Sequence, residues 1–323
     1  MKAAVIHRWG SPDVFEIVET NQPIPGADQV LIKVIASGLN PVDWKHRKGN
    51  HKYMLGQTFP IILGYDVSGE VVETGANIST FKKGDLVFGD LDNKYGGGLA
   101  EYAIGSEHCF AKIPANCDPA EAAAYPLVSL TVLRAFRDKA NLQKGQTVLI
   151  NGASGGVGYV AVQMAKLFGA NVIAVASSRN KELIEHLNPD KFIDYTKSDL
   201  LEANVKVDLF FDVAGNYSFL KTKRMLNKGG MYLSTLPRPK ILVHKMLQVF
   251  TANKKVKTVL RKHRASDMKQ IAQWISEGKL EMSIDQTFNI DQIKEAHHYS
   301  EKGKTQGKCL ILIQSKTQED PVA

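Results

Sequence analysis

The 323-residue sequence predicts an α/β protein in which a doubly wound parallel sheet is inserted into a β-rich domain. Over the first ~120 residues, short apolar runs broken by turn residues indicate antiparallel strands. From residue 147, short apolar strands alternate with helices, which is typical of a parallel sheet covered on both faces. The last apolar run, "KCLILIQ", has no glycine turn and is expected to return to the first domain. The predicted boundaries are 1–124 with 266–323 for the β-rich domain, and 125–265 for the inserted domain.

In the first domain, strands are predicted in "AAVIH", "VFEIVE" and "VLIKVIA", with "NQPIPGAD" as the turn before the third. Further strands are predicted in "SGEVVETG" and "GDLVFGD", and after the glycine turn of "YGGGLAEYAI". A helix is predicted over 118–140, where Asp118 can cap the first turn and Pro119 suits its start.

The second domain alternates strand and helix in a regular order. Strands are predicted at 147–151, 171–176, 191–195, 207–215 and 229–236, and helices at 157–169, at 180–187 and between the last two strands. Two more helices follow in "ASDMKQIAQWISEGK" and "NIDQIKEAHHYSEKG". The final "SKTQEDPVA" is expected to be frayed.

Composition favours a cytoplasmic protein. No apolar run reaches the ~18–20 residues that span a bilayer, and "MKAAVIHRWG" enters a strand pattern at once, leaving no room for a signal peptide. The three cysteines show no Cys-x-x-Cys spacing and fit a reducing compartment. Four closely spaced thiolates, as in a structural zinc lobe, are missing from the sequence.

The net charge of +8 favours acidic partners such as a phosphate-bearing cofactor. The densest basic segment, 253–264, is interpreted as a solvated edge strand whose lysines discourage edge pairing. A lipid or RNA surface is the alternative. No aromatic residues are interleaved with the lysines, so a nucleic-acid partner is not expected, and peripheral membrane contact stays open.

The cofactor site is predicted at the turn between the strand 147–151 and the next helix. Glycines there let a backbone approach a pyrophosphate, and free N–H groups with the helix dipole stabilise its charge. The predicted contacts are Gly152, Ser154, Gly155, Gly156, Val157 and Gly158. The alternative, a glycine turn that serves packing alone, fits poorly with its place between a buried strand and an amphipathic helix.

The second strand of the inserted domain predicts which dinucleotide binds. An NAD site usually ends this strand with an acid that bonds the ribose 2′-hydroxyl. Here Ser177, Ser178 and Arg179 follow the strand, and no acid comes before Glu182. Hydroxyls and cations suit a 2′-phosphate, so NADPH is the predicted cofactor. Tyr195, after the third strand, is a further candidate for the phosphate.

Five blocks of the sequence carry a family resemblance: "SGLNPVDWKHRKG", "FPIILGYDVSGEVVETGANISTFKKGDLVFGD", "GGGLAEYA", "YPLVSLTVLRAF" and "NGASGGVG". In this order they resemble the medium-chain dehydrogenase/reductase superfamily, in its zinc-free quinone oxidoreductase branch. The resemblance implies a GroES-like catalytic domain around a Rossmann domain, NADPH as hydride donor, and a homodimer. "NPVDWK" is most similar to the plant and organellar quinone/enone reductases.

The resemblance also assigns site residues. Asn40 and Tyr65 stand where zinc-bearing relatives place a cysteine and a histidine ligand, so no metal is expected. Asn40, Asp43, Lys45 and Tyr53 are the implied catalytic residues, although Asp43 could instead cap a helix. Thr131 matches a family residue that lies under the nicotinamide, and the other implied cofactor contacts follow strand ends: Ala214, Gly215, Ser234, Thr235 and Leu236.

The predicted reaction follows from the missing metal. A simple ketone needs a Lewis acid to accept hydride, whereas a quinone or an α,β-unsaturated carbonyl spreads the charge and needs only a hydrogen-bond donor. Lys45, or a ribose hydroxyl that it orients, is the expected donor, and water or Tyr53 is the expected proton source. A 2-enoyl thioester reductase and a non-catalytic NADPH-binding scaffold are the alternatives.

Overall fold

A computed structural model describes residues 1–50, 52–56, 58–236, 253–259 and 263–314. The chain divides into two compact units. Unit 1 comprises Met1–Leu127, His263–Gly278 and Ile284–Ala323, and unit 2 comprises Val128–Lys262 and Lys279–Ser283. This order of segments along the chain is the one expected for a domain inserted into another.

The strands are numbered along the chain. They are β1 Lys2–Ile6, β2 Phe15–Glu19, β3 Gln29–Leu39, β4 Ile61–Ile62, β5 Asp66–Thr74, β6 Leu86–Asp90, β7 Tyr102–Ser106, β8 Phe110–Lys112, β9 Thr147–Asn151, β10 Asn171–Ala176, β11 Lys191–Asp194, β12 Val207–Asp212, β13 Leu226–Ser234, β14 Lys255–Thr258, β15 Ile284–Asn289 and β16 Lys308–Leu312.

The α-helices are numbered in the same way. They are α1 Pro41–Arg47, α2 Lys52–Leu55, α3 Pro126–Leu133, α4 Gly156–Leu167, α5 Lys181–Glu185, α6 Phe219–Thr222, α7 Ala265–Ser276 and α8 Ile293–Glu301.

Unit 1 is built on a mostly antiparallel sheet in the order β15-β16-β3-β5-β6-β8, with β7 also paired to β3. A smaller sheet, β2-β1-β4, adds a second layer of strands. β16 pairs antiparallel with β3, which confirms that the last strand returns to the first domain. The core is filled by alternate apolar side chains of β3 and β5, among them Val30, Ile32 and Val67, all fully buried.

Unit 2 contains a six-stranded sheet in the order β11-β10-β9-β12-β13-β14, and every neighbouring pair is parallel. This is the doubly wound order, in which the first strand, β9, lies at the switch point. The side chains of β9, β10 and β12 are buried almost without interruption, as expected for strands covered on both faces. The predicted α/β fold is therefore confirmed.

The predicted helix over 118–140 is interrupted, which the sequence analysis did not anticipate. The chain forms a short 3-10 turn at Glu121–Ala124, then α3, then a π-helical segment at Arg134–Ala140. Pro126 lacks a backbone N–H and cannot continue the first turn, so α3 starts there. Asp118 does act as a cap, because its Oδ1 accepts from the N–H groups of Ala120 (2.8 Å) and Glu121 (3.2 Å).

Two further expectations concern the basic segment and the C-terminus. Among the strands that the structure describes, β14 lies at the edge of the unit 2 sheet, which agrees with the edge-strand interpretation of 253–264 over residues 255–258. Residues 260–262 and the C-terminal residues 315–323 lie outside the described part of the chain. Within the described ranges, the helices are too short or too polar to cross a bilayer.

Candidate active site

The turn after β9 has the geometry that the glycine pattern predicts. Gly152 has a φ of +86°, which favours glycine, and Gly155 precedes α4 as its N-cap residue. A Cβ built on Gly158 would lie 2.1 Å from the Gly152 carbonyl oxygen, so this position requires glycine. A Cβ on Gly155 would lie 3.9 Å from its nearest neighbour, again the Gly152 oxygen. The turn is thus closely packed on one side and has room at Gly155.

A buried polar network lies at the carboxyl ends of β9, β12 and β13. The Asn151 Nδ2 donates to Asp212 Oδ1 (2.7 Å), and the Tyr232 hydroxyl donates to Asp212 Oδ2 (2.6 Å). The N–H of Gly215, which has a φ of +69°, donates to the same Asp212 Oδ1 (2.8 Å). Asp212 therefore fixes the loop after β12 against two neighbouring strands. The sequence analysis missed Asn151, Asp212 and Tyr232, although polar residues ending apolar strands were a usable signal.

The end of β10 has the predicted residues in a compact arrangement. Ser177 is buried and precedes a 3-10 turn at Ser178–Asn180. The Asn180 Nδ2 donates to the Ser154 hydroxyl (2.7 Å), which ties this turn to the glycine turn after β9. Arg179 lies within the same turn. Ser154, Ser177 and Arg179 thus belong to one local structure.

An acid that the sequence analysis did not weigh lies beside this turn. Asp194 ends β11, and the Ser178 hydroxyl donates to its carboxylate. Hydrogen bonds from Ser178 and Thr196 lower the pKa of Asp194 to about 2, so the carboxylate is charged at neutral pH. Asp194 is on the strand next to β10 and is held by Ser178. It does not end β10, where an NAD-type acid is expected.

The remaining predicted cofactor contacts lie at the ends of unit 2 elements. Thr131 is buried on α3, and Tyr195 is 54% exposed after β11. Ala214 is exposed in the loop that Asp212 fixes. The Thr235 hydroxyl donates to the Val213 carbonyl (3.3 Å), and the Ser234 hydroxyl accepts from the N–H of Leu236 (3.2 Å).

These residues fit a dinucleotide. Gly152, Gly155 and Gly158 leave the backbone accessible at the N-terminus of a twelve-residue helix, where N–H groups and the helix dipole favour an anion. The carboxyl ends of β9, β10 and β12 meet at the same edge of the sheet. Unit 2 therefore offers a pyrophosphate cradle with hydroxyl and guanidinium groups on the neighbouring strand end.

Unit 1 contains a closed triangle of buried polar side chains, Asn40, Asp66 and Lys308. The Lys308 Nζ donates to Asn40 Oδ1 (2.7 Å) and to Asp66 Oδ2 (2.9 Å), and the Asn40 Nδ2 donates to Asp66 Oδ2 (2.8 Å). The Asn40 Nδ2 also donates to the Gly38 carbonyl (3.0 Å), and Asp66 Oδ1 accepts from the N–H of Leu127 (2.7 Å). The amide of Asn40 and the carboxylate of Asp66 are thus fully engaged.

The triangle is an ion pair in a dry environment. The Lys308 side chain is 3% exposed and that of Asp66 is fully buried. Burial raises the pKa of Asp66, the Lys308 ammonium lowers it, and nearby Asp90 raises it again. The Lys308 ammonium therefore stabilises the charged form of the Asp66 carboxylate. Neither residue was predicted as a site residue, because Asp66 and Lys308 are 242 residues apart in the sequence and meet only in the folded sheet.

Asn40 and Asp43 form the start of α1. The Asn40 N–H donates to Asp43 Oδ2 (2.8 Å), which completes a capping box. Asp43 is buried, so its carboxylate fixes the entry of the chain into the helix. Lys45 follows on α1, and its Nζ lies 5.3 Å from the Trp44 ring centroid. The structure thus brings Asn40, Asp43 and Lys45 onto one short element, whereas Tyr53 lies apart from it and is 88% exposed.

The two positions where zinc-bearing relatives are expected to hold the metal do not fit zinc here. The Oδ1 of Asn40 accepts from a cation, the Lys308 ammonium. The Tyr65 hydroxyl donates to the Lys94 carbonyl (2.8 Å) and lies 3.2 Å from His46 Nδ1. Zinc prefers thiolate, imidazole and carboxylate ligands, and a second cation beside Lys308 would be repelled. An amide and a phenol that are already bonded are a poor donor set for this ion.

Comparisons with known proteins agree with this architecture. The alcohol dehydrogenase GroES-like domain family matches residues 26–115, and the zinc-binding dehydrogenase family matches residues 187–311. The chloroplast envelope quinone oxidoreductase homolog of Arabidopsis thaliana is 33% identical over 306 residues, which are 92% of this chain and 93% of that protein. The chloroplastic NADPH-dependent alkenal/one oxidoreductase of the same plant is 32% identical over 96% of this chain and 79% of its own length.

A solved structure resembles the whole chain. The quinone oxidoreductase from Coxiella burnetii superposes with a TM-score of 0.89 at 30% identity, and the match covers 97% of this chain and 99% of that one. The sequence blocks, the two units and the near-complete coverage of the relatives all agree. The chain therefore belongs to the quinone oxidoreductases of the medium-chain dehydrogenase/reductase superfamily and is an oxidoreductase.

Proposed function

We propose that this protein transfers hydride from NADPH to the conjugated carbon of a quinone or an α,β-unsaturated carbonyl, without a catalytic metal. The observation that carries the proposal is the Asn40–Asp66–Lys308 triangle. The Lys308 ammonium is hydrogen-bonded to the side chain of Asn40, and this excludes a metal ion from the position. No Lewis acid is therefore available there to polarise a simple carbonyl. Two relatives whose names specify a quinone and an alkenal/one support the same substrate class.

The nucleotide is assigned to the turn after β9. Backbone N–H groups at the start of α4 bind the pyrophosphate, while Ser177 and Arg179 bind the 2′-phosphate. When bound, NADPH supplies the hydride. Asp212 holds the loop of Ala214 and Gly215 in position through the Gly215 N–H. Unit 2 thus contributes binding and orientation.

The acceptor oxygen is assigned to a hydrogen-bond donor on α1. Lys45 carries three ammonium protons on a helix that the Asn40–Asp43 capping box fixes. In a conjugated acceptor the negative charge that develops is already spread over several atoms, and one well-placed donor typically stabilises it by about 3–4 kcal/mol. Such a donor suffices for an enone or quinone. The exposed Tyr53 is assigned no step, and the proton comes from water.

NADPH is proposed over NADH because no acid ends β10, while Ser177, Ser178 and Arg179 follow its last residue. Replacing Arg179 by alanine is expected to weaken NADPH binding by about tenfold or more, as for the loss of one charged hydrogen bond, and to leave NADH binding unchanged. The measurement is fluorescence titration of both nucleotides. Arg137→Ala is the control, since this partly exposed arginine pairs with Asp138 elsewhere in unit 2. Equal losses for both nucleotides would contradict the assignment.

The reaction is tested by steady-state kinetics with chelator-treated enzyme. With NADPH, we expect turnover of quinones and α,β-unsaturated ketones, and none of the saturated ketones that match them in size. Turnover confined to simple aldehydes or alcohols, and restored by added zinc, would refute the proposal. A preference for crotonyl-CoA over a free enone would instead favour the thioester reductase. NADPH binding without turnover would favour a scaffold.

The homodimer and the cytoplasmic location stay predictions. The homodimer follows from the family resemblance alone, and the cytoplasmic location from the composition alone.

A further inference from the structure

Beyond the residues assigned to the reaction, unit 1 contains a group of three potential metal ligands, Asp92, His108 and Cys109. One ligand atom from each lies within 4.8 Å of the other two. Asp92 follows β6, whereas His108 and Cys109 belong to the 3-10 turn between β7 and β8. Neither the motifs of the sequence analysis nor the proposed function uses any of them. We name this group the Asp92–His108–Cys109 cluster.

The spacing of the cluster suits a small cation. The His108 Nε2 lies 3.5 Å from Asp92 Oδ2. Two ligands about 2.1 Å from a tetrahedral zinc ion are separated by roughly 3.4 Å. Closing the cluster on an ion therefore requires only small movements of side chains. The His108 side chain is half exposed and that of Asp92 is 23% exposed, so an ion can enter from solvent.

The electrostatics of the cluster also favour a cation. Asp92 Oδ2 accepts from the Ser106 hydroxyl (2.6 Å), and Asp92 Oδ1 accepts from the Ser106 N–H (3.2 Å). Ser106 therefore orients the carboxylate of Asp92. Buried Asp90 adds a second negative charge close to the Cys109 thiol.

A fourth potential donor, the imidazole of His263, lies next to the cluster. The His263 ring centroid is 6.3 Å from that of His108, and the His263 Nε2 is 2.9 Å from Asp90 Oδ2. Pairs of a carboxylate and a histidine commonly support metal ligands, because the carboxylate fixes the orientation of the imidazole ring. His263 begins the segment that leads into α7. An ion that bound His263 as well would connect three separate stretches of unit 1.

We propose that Asp92, His108 and Cys109 form a binding site for a divalent transition-metal ion of the zinc class, separate from the reaction site. One oxygen, one nitrogen and one sulfur ligand match the preferences of zinc and of cobalt(II). The ion displaces the thiol proton of Cys109 to solvent, and a water or His263 completes four-coordination. Its role is to tie the loop after β6 to the β7–β8 turn.

Deprotonation of the Cys109 thiol is the unfavourable step in binding the ion. Burial, with Asp92 and Asp90 nearby, raises the pKa of the Cys109 thiol, so in the metal-free protein the thiol is protonated and contacts Asp92. A divalent ion offsets the charges of Asp92 and the new thiolate together. A singly charged cation offsets only one of these charges, and an alkaline-earth ion prefers oxygen ligands. Neither is therefore expected to bind at this site.

The proposal is tested with cobalt(II), whose bond to a thiolate absorbs in the near ultraviolet. The full chain, made without a polyhistidine tag and dialysed against a chelator, is titrated with cobalt alone. We expect one equivalent to bind with a thiolate charge-transfer band, and zinc to displace it. Zinc is also expected to raise the unfolding temperature of the wild-type protein.

Matched variants separate this site from other ligands. His108→Gln removes a half-exposed ligand and should weaken cobalt binding by about tenfold or more, and Cys109→Ala should abolish the charge-transfer band. Cys117→Ser, at the more accessible thiol, should change neither. The proposal is overturned if the wild-type protein shows no such band, or if the band and the affinity persist in His108→Gln. It is also overturned if Cys117→Ser removes them.

Discussion

Replacing Lys308 by methionine is expected to destabilise the protein by about 3–5 kcal/mol, because it leaves the carboxylate of Asp66 buried without its cation. Both side chains are nearly inaccessible to water, and only the neutral donors Asn40 and the Leu127 N–H would remain beside the charge. The free energy of unfolding from urea denaturation measures the effect. The chain has two units that can unfold in separate transitions. The free energies of unfolding to compare are those of the transition in which unit 1 unfolds.

Two further variants make this measurement specific. Lys2→Met removes a lysine whose ion pair with Asp291 is exposed, 34% and 64% for the two side chains, and should cost less than about 1 kcal/mol. The double variant Lys308→Met with Asp66→Asn removes both charges and should be clearly more stable than Lys308→Met alone. A loss for Lys308→Met no larger than that for Lys2→Met would mean that the ion pair does not hold this part of unit 1 together.

Replacing Gly158 by alanine is expected to weaken NADPH binding by at least about a hundredfold, which corresponds to ~2.7 kcal/mol. The new Cβ would lie 2.1 Å from the Gly152 oxygen and 2.7 Å from the Ala153 Cα. Both are backbone atoms, so the turn has to open and the N–H groups at the start of α4 lose their arrangement. Nucleotide titration followed by fluorescence gives the affinity.

Two glycine variants complete this test. Gly145→Ala, in the same unit, has a φ of +82° and no atom within 4 Å of the new Cβ, so it should cost roughly 1 kcal/mol of stability and leave binding intact. Gly155→Ala has room within the fold, so it should unfold as the wild type does, yet bind NADPH more weakly because the Cβ occupies the approach of the phosphates. If Gly158→Ala and Gly155→Ala both bind NADPH normally, the nucleotide does not dock at this turn.

The fold was predictable because its signals are local. The apolar strands of unit 2 alternate with helices at a regular spacing, and the glycine pattern marks the turn after β9, so the parallel sheet and the cofactor turn follow from the sequence. The return of β16 to β3 was also predictable, since an apolar run without a glycine turn does not suit the nucleotide sheet. The break in 118–140 was predictable in principle from Pro126, whose ring cannot continue a helical hydrogen-bond ladder.

The candidate site was less predictable because it depends on contacts between distant residues. Asp66 and Lys308 are 242 residues apart and meet only when β16 and β5 flank β3. The same holds for Asp212 and Tyr232, whose bond depends on neighbouring strands. The sequence identified Asn40 as a position without a metal ligand. It could not reveal that an ammonium group is bonded to that residue.

Hydride is expected to reach a conjugated carbon of the acceptor with no metal to polarise the oxygen. The most direct measurement uses NADPH with deuterium at the transferred position and an open-chain α,β-unsaturated ketone, with chelator present throughout. The expected product is a saturated ketone that carries the deuterium at the carbon β to the carbonyl. Deuterium at the former carbonyl carbon, in an allylic alcohol, would contradict it, as would turnover that stops with the chelator and resumes with zinc.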